Sequence, residues 1–198
     1  MTDATYTLEI VRGQANAWTF GLGQSGQYRY AAISAATQAA PCVLTAASHG
    51  VPEGWVYTVE GARGMTALNR PEYSLAKVLD PDRLEINDLN TTNAQAYAGG
   101  GVIRYEVPMD LSDVVAARAQ LRAGVGVAQA LLTLTLEPGQ GLSLDVQRSA
   151  VELEVSEAQA TALAVESGVW DLELLTAAGA VIKPLRLSRF VVLPEATA

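Results

Sequence analysis

The 198-residue sequence predicts an all-β protein, an antiparallel β-sandwich with one short helix. Three observations support this fold class. Short segments alternate apolar and polar residues with the two-residue period of a half-buried strand. Turn sequences rich in glycine and proline separate these segments at a spacing of roughly ten residues, which is typical of sandwiches and barrels. A helix start signal near residue 156 interrupts the β pattern.

The predicted strands begin with Tyr6, Leu8 and Ile10, which alternate with polar neighbours before a turn at Gly13. Alternating segments of the same kind recur along the chain, because a strand with one face on the core places every second residue inward. In order, we predict strands at 6–11, 18–22, 132–136, 142–146, 151–155, 169–175, 180–182 and 185–193. The sequence Thr176-Ala-Ala-Gly179 predicts a hairpin between two of them.

The predicted helix follows Ser156-Glu-Ala-Gln159, a capping-box sequence in which the Ser and Gln side chains can satisfy backbone donors reciprocally. Glu157 suits the first turn because of its negative charge. We expect a short helix through residues 160–165, ended by Ser167-Gly168.

Composition excludes some classes of function. The net charge of −8 and the pI of about 4.6 argue against nucleic-acid binding, which needs clustered basic residues. The first residues carry neither a basic region nor an apolar run, so we expect no signal peptide. All apolar stretches are far shorter than the roughly 20 residues that span a bilayer. We therefore expect a soluble protein with no nucleic-acid or membrane partner.

The single cysteine and the single histidine, Cys42 and His49, are the first candidates for chemistry. A nucleophilic thiol needs an electropositive setting and a base. The favoured interpretations are structural: Cys42 as a small buried apolar residue in a strand, and His49 as a hydrogen-bonding residue at a strand end. One histidine and one cysteine also make a transition-metal site improbable.

Glycines punctuate the middle of the chain. Gly50 and Gly54 predict turns with positive φ, and Met65 with Leu68 predicts apolar closure of a small barrel. Asn69 suits a turn, because asparagine tolerates the left-handed conformation and bonds to its own backbone. The run Gly99-Gly-Gly101 lacks the Lys-Ser/Thr pair of a phosphate loop, and a bend at a strand entry is favoured.

Carboxylates form two groups. Glu152 and Glu154 share the solvent face of a predicted strand, so they do not qualify as an acid/base pair, which requires burial. A second group lies near a turn, and three of its residues, Asp80, Asp82 and Asp88, could bind Ca²⁺ weakly, although they lack EF-hand spacing and solvated charge is the favoured interpretation. Its members are Asp80, Asp82, Glu85 and Asp88.

Three segments of the C-terminal half share their pattern with a known family. They are Asp110-Leu-Ser-Asp-Val-Val-Ala-Ala-Arg-Ala-Gln-Leu-Arg122, Val151-Glu-Leu-Glu-Val-Ser-Glu-Ala-Gln-Ala-Thr161 and Gly168-Val-Trp-Asp-Leu-Glu-Leu174. From about residue 107 onward the chain resembles an immunoglobulin-like sandwich of tailed-bacteriophage virion proteins. Tyr6-Thr-Leu-Glu-Ile-Val-Arg-Gly13 and Trp18-Thr-Phe20 resemble the start of the same domain, whereas Lys183-Pro-Leu-Arg186 departs where glycine is common.

The stretch 31–106 resembles a second module, a small β-barrel of phage structural proteins that is likened to the first catalytic cysteine half domain of ubiquitin-activating enzymes. Trp55 departs from it, since an acidic residue is usual there. The resemblance implies no ubiquitin chemistry. The matching residues are His49-Gly50, Gly54, Val56, Gly64-Met-Thr-Ala-Leu-Asn69, Tyr73, Val78, Leu84 and Tyr97-Ala-Gly-Gly100.

Together the resemblances imply a discontinuous immunoglobulin-like sandwich, residues 1–30 and 107–198, with a small barrel inserted at 31–106. They imply a structural component of a tailed-bacteriophage virion, assembled in the bacterial cytoplasm, most simply a tail, baseplate or collar protein that mediates assembly or fibre attachment. Its expected partners are other virion proteins and copies of itself in a symmetric oligomer. We expect no enzymatic activity, catalytic residue, metal or cofactor.

Two alternatives stay open at this point. Within the virion class, the chain could decorate the capsid surface or form part of the neck. Outside it, exposed aromatic residues could make a carbohydrate-binding module, with Trp55, Tyr57 and Tyr97 as the candidates. Their alternation with apolar neighbours favours a place in the core instead.

Overall fold

A computed structural model of the protein describes residues 6–71 and 76–195. Within these residues the chain is built of β-strands and one short α-helix, so the all-β prediction is confirmed. Nowhere in them does a helix have the length and apolar character required to cross a bilayer. Tyr73, one of the residues that carry the barrel resemblance, lies outside the described ranges, as do the first five residues.

The elements occur in the following order. They are β1 (Leu8–Val11), β2 (Asn16–Gly21), β3 (Gly23–Ala32), β4 (Ala35–Ala36), β5 (Cys42–Thr45), β6 (Thr58–Ala62), a 3₁₀ turn (Thr66–Leu68), β7 (Lys77–Asp80), β8 (Arg83–Ile86), β9 (Gly100–Pro108), β10 (Val114–Arg122), β11 (Leu132–Thr135), β12 (Leu142–Asp145), β13 (Ala150–Val155), α1 (Glu157–Ala162), β14 (Ser167–Thr176), β15 (Val181–Ile182) and β16 (Ser188–Leu193).

The chain divides into two compact units. The first consists of Met1–Ser25 with Met109–Ala198, and the second of Gly26–Pro108. The boundaries predicted from the sequence, 30/31 and 106/107, lie within β3 and β9. The structural divisions differ from them by a few residues: the first lies within β3, which runs across it without a turn, and the second lies at the end of β9.

The first unit contains two sheets. The large sheet has the order β1-β16-β14-β10-β11, with β15 also paired to β14, and the small sheet has the order β12-β13-β2. Alternate residues of each sheet enter one shared core, as in a sandwich. Phe20 of the small sheet packs against Trp170 of the large sheet with ring centroids 5.5 Å apart. The Trp170 indole N–H donates to the carbonyl of Tyr6 at 3.0 Å, which satisfies the polar atom of a buried side chain.

One strand pair of the large sheet departs from the antiparallel pattern. β1 runs parallel to β16, with Leu8 opposite Phe190 and Val11 opposite Leu193. A parallel pair needs a long connection between its strands, and here the two strands are the first and the last within residues 6–71 and 76–195.

The helix α1 begins as predicted. Ser156 Oγ accepts from the backbone N–H of Gln159, and the Gln159 side chain accepts from the N–H of Ser156, so both halves of the capping box are present. The predicted end at Ser167-Gly168 is wrong. The helix ends at Ala162, because Leu163 adopts an extended conformation that buries its side chain in the core.

The second unit contains a three-stranded sheet, β3-β9-β6, and a four-stranded sheet, β4-β5-β8-β7. These sheets enclose a core of their own. Met65 and Leu68 are fully buried in it, which agrees with their predicted role of closing this module. Cys42 is also fully buried, and its thiol donates to the carbonyl of Thr37 at 3.3 Å.

Candidate functional site

The candidate site is the face of the large sheet that points away from the core, called here the outer face. Its residues form rows across β10, β14 and their neighbours, because side chains of paired residues stand side by side. One row contains Ala116, Leu175 and Val181. The next contains Thr135, Arg118 and Glu173. An apolar row therefore borders a charged row on the same surface.

An irregularity in β10 places a further apolar residue, Val115, beside the apolar row. The register between β10 and β14 shifts between Val114 and Ala116, which leaves Val115 as the extra residue of a bulge. Val115 is 60 % exposed and Val181 61 % exposed. Large apolar side chains that cluster at this exposure are characteristic of a surface that contacts another molecule.

Ion pairs hold the charged rows in place. Glu173 forms ion pairs with Arg118 at 2.5 Å and with Lys183 at 2.8 Å, and Asp171 forms one with Arg122 at 3.2 Å. The hydrogen bond from Lys183, with that from Arg118, holds the pKa of the Glu173 carboxyl below its usual value. The same bond raises the pKa of Lys183. Opposite charges thus face one another at fixed positions across these strands, which gives the outer face a fixed pattern of charge.

A groove of about 530 Å³ lies where the apolar and charged rows meet. Val115, Leu136, Leu175 and Val181 supply its apolar lining, and Ala116 leaves the floor low because its side chain is small. The exposed carboxylate of Glu137 stands at the rim. It makes no ion pair with any residue in the described part of the chain. The groove is thus suited to an apolar segment that carries a positive charge.

The sequence analysis named Lys183, Arg118 and Val115 only as parts of the family motifs and not as functional candidates. The signal for the charged rows was present, since basic residues occupy the polar positions of β10 and acidic residues those of β14. Their attraction depends on the register of the two strands, which the sequence pattern does not specify. Lys183, noted only as a departure from the phage family, is the residue that bridges Asp171 and Glu173.

His49 has the structural role that was predicted. Its side chain is 4 % exposed, and Nδ1 accepts from the N–H of Val51 at 3.0 Å. Nε2 therefore carries the proton and donates to the carbonyl of Asp80 at 3.1 Å. The Tyr105 hydroxyl donates to the His49 carbonyl at 2.8 Å. Both ring nitrogens are engaged by the backbone, so the imidazole is fixed as a support for this loop.

The three aromatic residues of the carbohydrate alternative lie in or against the second core, as favoured from their alternation. Trp55 is buried and donates from its indole N–H to the carbonyl of Glu106 at 3.1 Å. Tyr57 is buried as well. The Tyr97 hydroxyl lies 2.8 Å from the carbonyl of Ile33, and burial raises the pKa of this phenol. The faces of Trp55 and Tyr57 are therefore not a platform for a sugar ring.

Asn69 corrects one prediction. With a φ of −75° it does not adopt the left-handed conformation, and its side chain does not bond to its own backbone. Instead its amide spans the backbone of Ala62 in β6, accepting from the N–H at 2.8 Å and donating to the carbonyl at 2.9 Å. The oxygen and the NH₂ group of a side-chain amide are spaced like the C=O and N–H groups of a neighbouring strand. The Asn69 amide therefore satisfies the N–H and the carbonyl of Ala62 at once.

The glycine run at 99–101 forms the predicted bend at a strand entry. All three glycines have positive φ, and β9 begins at Gly100. A Cβ on Gly101 would lie 2.9 Å from the backbone nitrogen of Ala62, so β6 and β9 approach too closely there for a side chain.

The carboxylates make local contacts. Glu152 and Glu154 are exposed on β13, as predicted, and Glu152 accepts from the hydroxyl of Ser143. No group of three His, Cys, Asp or Glu positioned to hold a metal ion occurs within residues 6–71 and 76–195. Each member of the second group has its own partner: Asp80 pairs with Arg83 at 2.6 Å, Asp82 accepts from the N–H of Ser48 at 2.7 Å, Glu85 pairs with Lys77 at 2.7 Å and Asp88 with Arg70 at 2.9 Å.

No protein-family model matches this sequence, and comparison with curated proteins finds no match either. The function must therefore be argued from the outer face and from the motif resemblances described above.

Proposed function

We propose that this protein is a structural component of a tailed-bacteriophage virion, in the tail, baseplate or collar, and that it acts by binding other virion proteins and further copies of itself. The resemblance of residues 110–122, 151–161 and 168–174 to phage sandwich domains supports the class of particle. The outer face supports the mode of action.

The observation that carries the proposal is the exposed apolar row beside the fixed ion pairs. A protein interface combines apolar side chains that exclude water with ordered polar groups that set the register. Val115 and Val181 provide the first, and the Arg118–Glu173–Lys183 cluster provides the second. Such a surface favours an assembly role over catalysis, for which it offers no nucleophile next to a base.

A position on the capsid surface or in the neck is the alternative within the same class, and it would use the same outer face. The carbohydrate-binding alternative has less support, because Trp55 and Tyr57 belong to the second core. We expect the folded protein to give no signal on a glycan array. A glycan signal that disappears in a folded Trp55→Phe variant would favour the carbohydrate alternative.

Quantitative mass spectrometry of gradient-purified particles tests the proposal. The chain should sediment with the particles at a constant molar ratio to the major capsid protein across the particle peak. A phage-encoded enzyme that is absent from virions serves as the control for contamination. A chain that falls to the level of this control would exclude a virion component.

A further inference from the structure

We propose that copies of this protein associate head to tail, with residues 26–30 of β3 from one copy seated in the outer-face groove of the next. Residues 26–30 are called the arm below. The inference rests on the assembly role proposed above and adds which two surfaces meet.

The arm is an edge strand with both faces open. β3 is a ten-residue strand at the end of the three-stranded sheet, and all five residues of the arm are exposed. Tyr30 is 63 % exposed and Tyr28 39 % exposed. A long edge with exposed aromatic residues is a template for contact with another chain, and tyrosine provides large contact area at low entropic cost.

The arm also presents a free cation in an ordered setting. The guanidinium of Arg29 makes no ion pair with a residue that the structure describes. Arg104 lies 3.9 Å from the ring centre of Tyr28, and Glu60 holds Arg104 in place at 3.1 Å. This stacking orders one aromatic residue of the arm before any partner arrives, which lowers the entropic cost of binding.

The groove has the complementary character. Its apolar lining suits the rings of Tyr28 and Tyr30, and the carboxylate of Glu137 at the rim suits the guanidinium of Arg29. The other two charged residues of the lining, Arg118 and Glu173, already neutralise each other. Each partner therefore supplies one unpaired charge, and the two charges have opposite sign.

Symmetry favours head-to-tail contact over pairing of two arms. An edge-to-edge dimer about a two-fold axis would bring two Arg29 cations close together, at an electrostatic cost. Each chain also carries a net charge of −8, so association needs a local attraction that overcomes the overall repulsion. An arm-in-groove contact provides one and leaves an arm and a groove free at the two ends, so it continues until a ring closes.

Sedimentation velocity of the purified full-length chain across a concentration series tests the inference. The variants are R29E and E137R, measured alone, as an equimolar mixture and as the double variant. R189E and E154R are matched controls, because Arg189 and Glu154 are exposed and make no ion pair with a described residue. Circular dichroism confirms that each variant is folded.

The wild-type chain should form concentration-dependent oligomers, and each single variant should weaken association by at least about tenfold in dissociation constant. The mixture and the double variant should both recover association, since each restores an arm and a groove of opposite charge. The controls should associate as the wild type does.

Three results would overturn the inference: a wild-type chain that stays monomeric at millimolar concentration, an effect of R29E without an effect of E137R, or single variants without rescue. None of them bears on whether the chain belongs to the virion, which the mass spectrometry of particles decides independently.

Discussion

The backbone N–H of Met109 donates to the carbonyl of Leu22 at 2.8 Å. These residues flank the second unit in the sequence, so the chain leaves the first unit and re-enters it at adjacent points. A segment whose ends meet in this way can be inserted into a domain without disturbing its topology.

Replacement of residues 26–108 by a short glycine-rich linker should therefore leave the first unit folded. Leu22 and Met109 are hydrogen-bonded already, so the linker closes a small gap, and the first core draws on residues outside the removed segment. A dispersed amide spectrum and a cooperative urea transition would confirm this expectation. The isolated segment 26–108 is the companion sample and should also fold, because its core is its own. Collapse of the linker variant would show that the two units depend on each other for folding.

Asn69→Ala should destabilise the second unit by about 2 kcal/mol, because it leaves the N–H and carbonyl of Ala62 without their side-chain partner. Urea denaturation measures the difference. Asn93→Ala is the matched control, since Asn93 is exposed and its side chain has no partner in the described structure. Equal stability of the two variants would contradict the bridging role of Asn69.

Gly64→Ala should be far more damaging than Gly54→Ala. Both glycines have positive φ, at +77° and +73°. A Cβ on Gly64 would lie 2.2 Å from the carbonyl oxygen of Ala96, whereas a Cβ on Gly54 would meet nothing within 4 Å. We expect about 1 kcal/mol for Gly54→Ala from backbone strain alone and more than about 2 kcal/mol for Gly64→Ala from strain plus collision. Thermal denaturation would refute this account if the order were reversed.

Glu173→Gln should reduce stability at neutral pH and lose its effect in acid. Lys183 and Arg118 lower the pKa of Glu173 in the folded state below the value of 4.5 that it has in an open chain. Such a group stabilises the protein above pH 4.5, and this contribution is lost as the pH falls through the folded-state pKa. We expect a loss of about 1 kcal/mol at pH 7 that shrinks steadily below pH 4.5. Urea denaturation at a series of pH values measures it, and Glu154→Gln, which removes no ion pair, should show no such trend.

The sequence was sufficient for the features that depend on local chemistry. The strand periods, the capping box at Ser156 and the burial of Met65 all follow from residues close together in the chain, and the structure contains each of them. It was insufficient where the partner of a side chain depends on how separate segments of the chain pack together. Asn69 bonds to Ala62 because a neighbouring strand offers a better partner than its own backbone.

The outer face shows the same limit at the candidate site. The ion pair of Arg118 with Glu173 and the exposure of Val115 both depend on one register and one bulge between β10 and β14. An alternating pattern specifies which residues face outward. It does not specify which outward-facing residues of two neighbouring strands lie opposite each other. The apolar row and the ion pairs that support the proposed function were therefore visible only in the folded chain.

Cryo-electron microscopy of the parent particle tests the central claim most directly. The account predicts density for this chain at symmetry-related positions, fitting a three-, six- or twelve-fold site, with Val115 and Val181 covered by a neighbouring chain. A particle map that contains no density for the chain, or one in which the outer face of every copy is open to solvent, would contradict it.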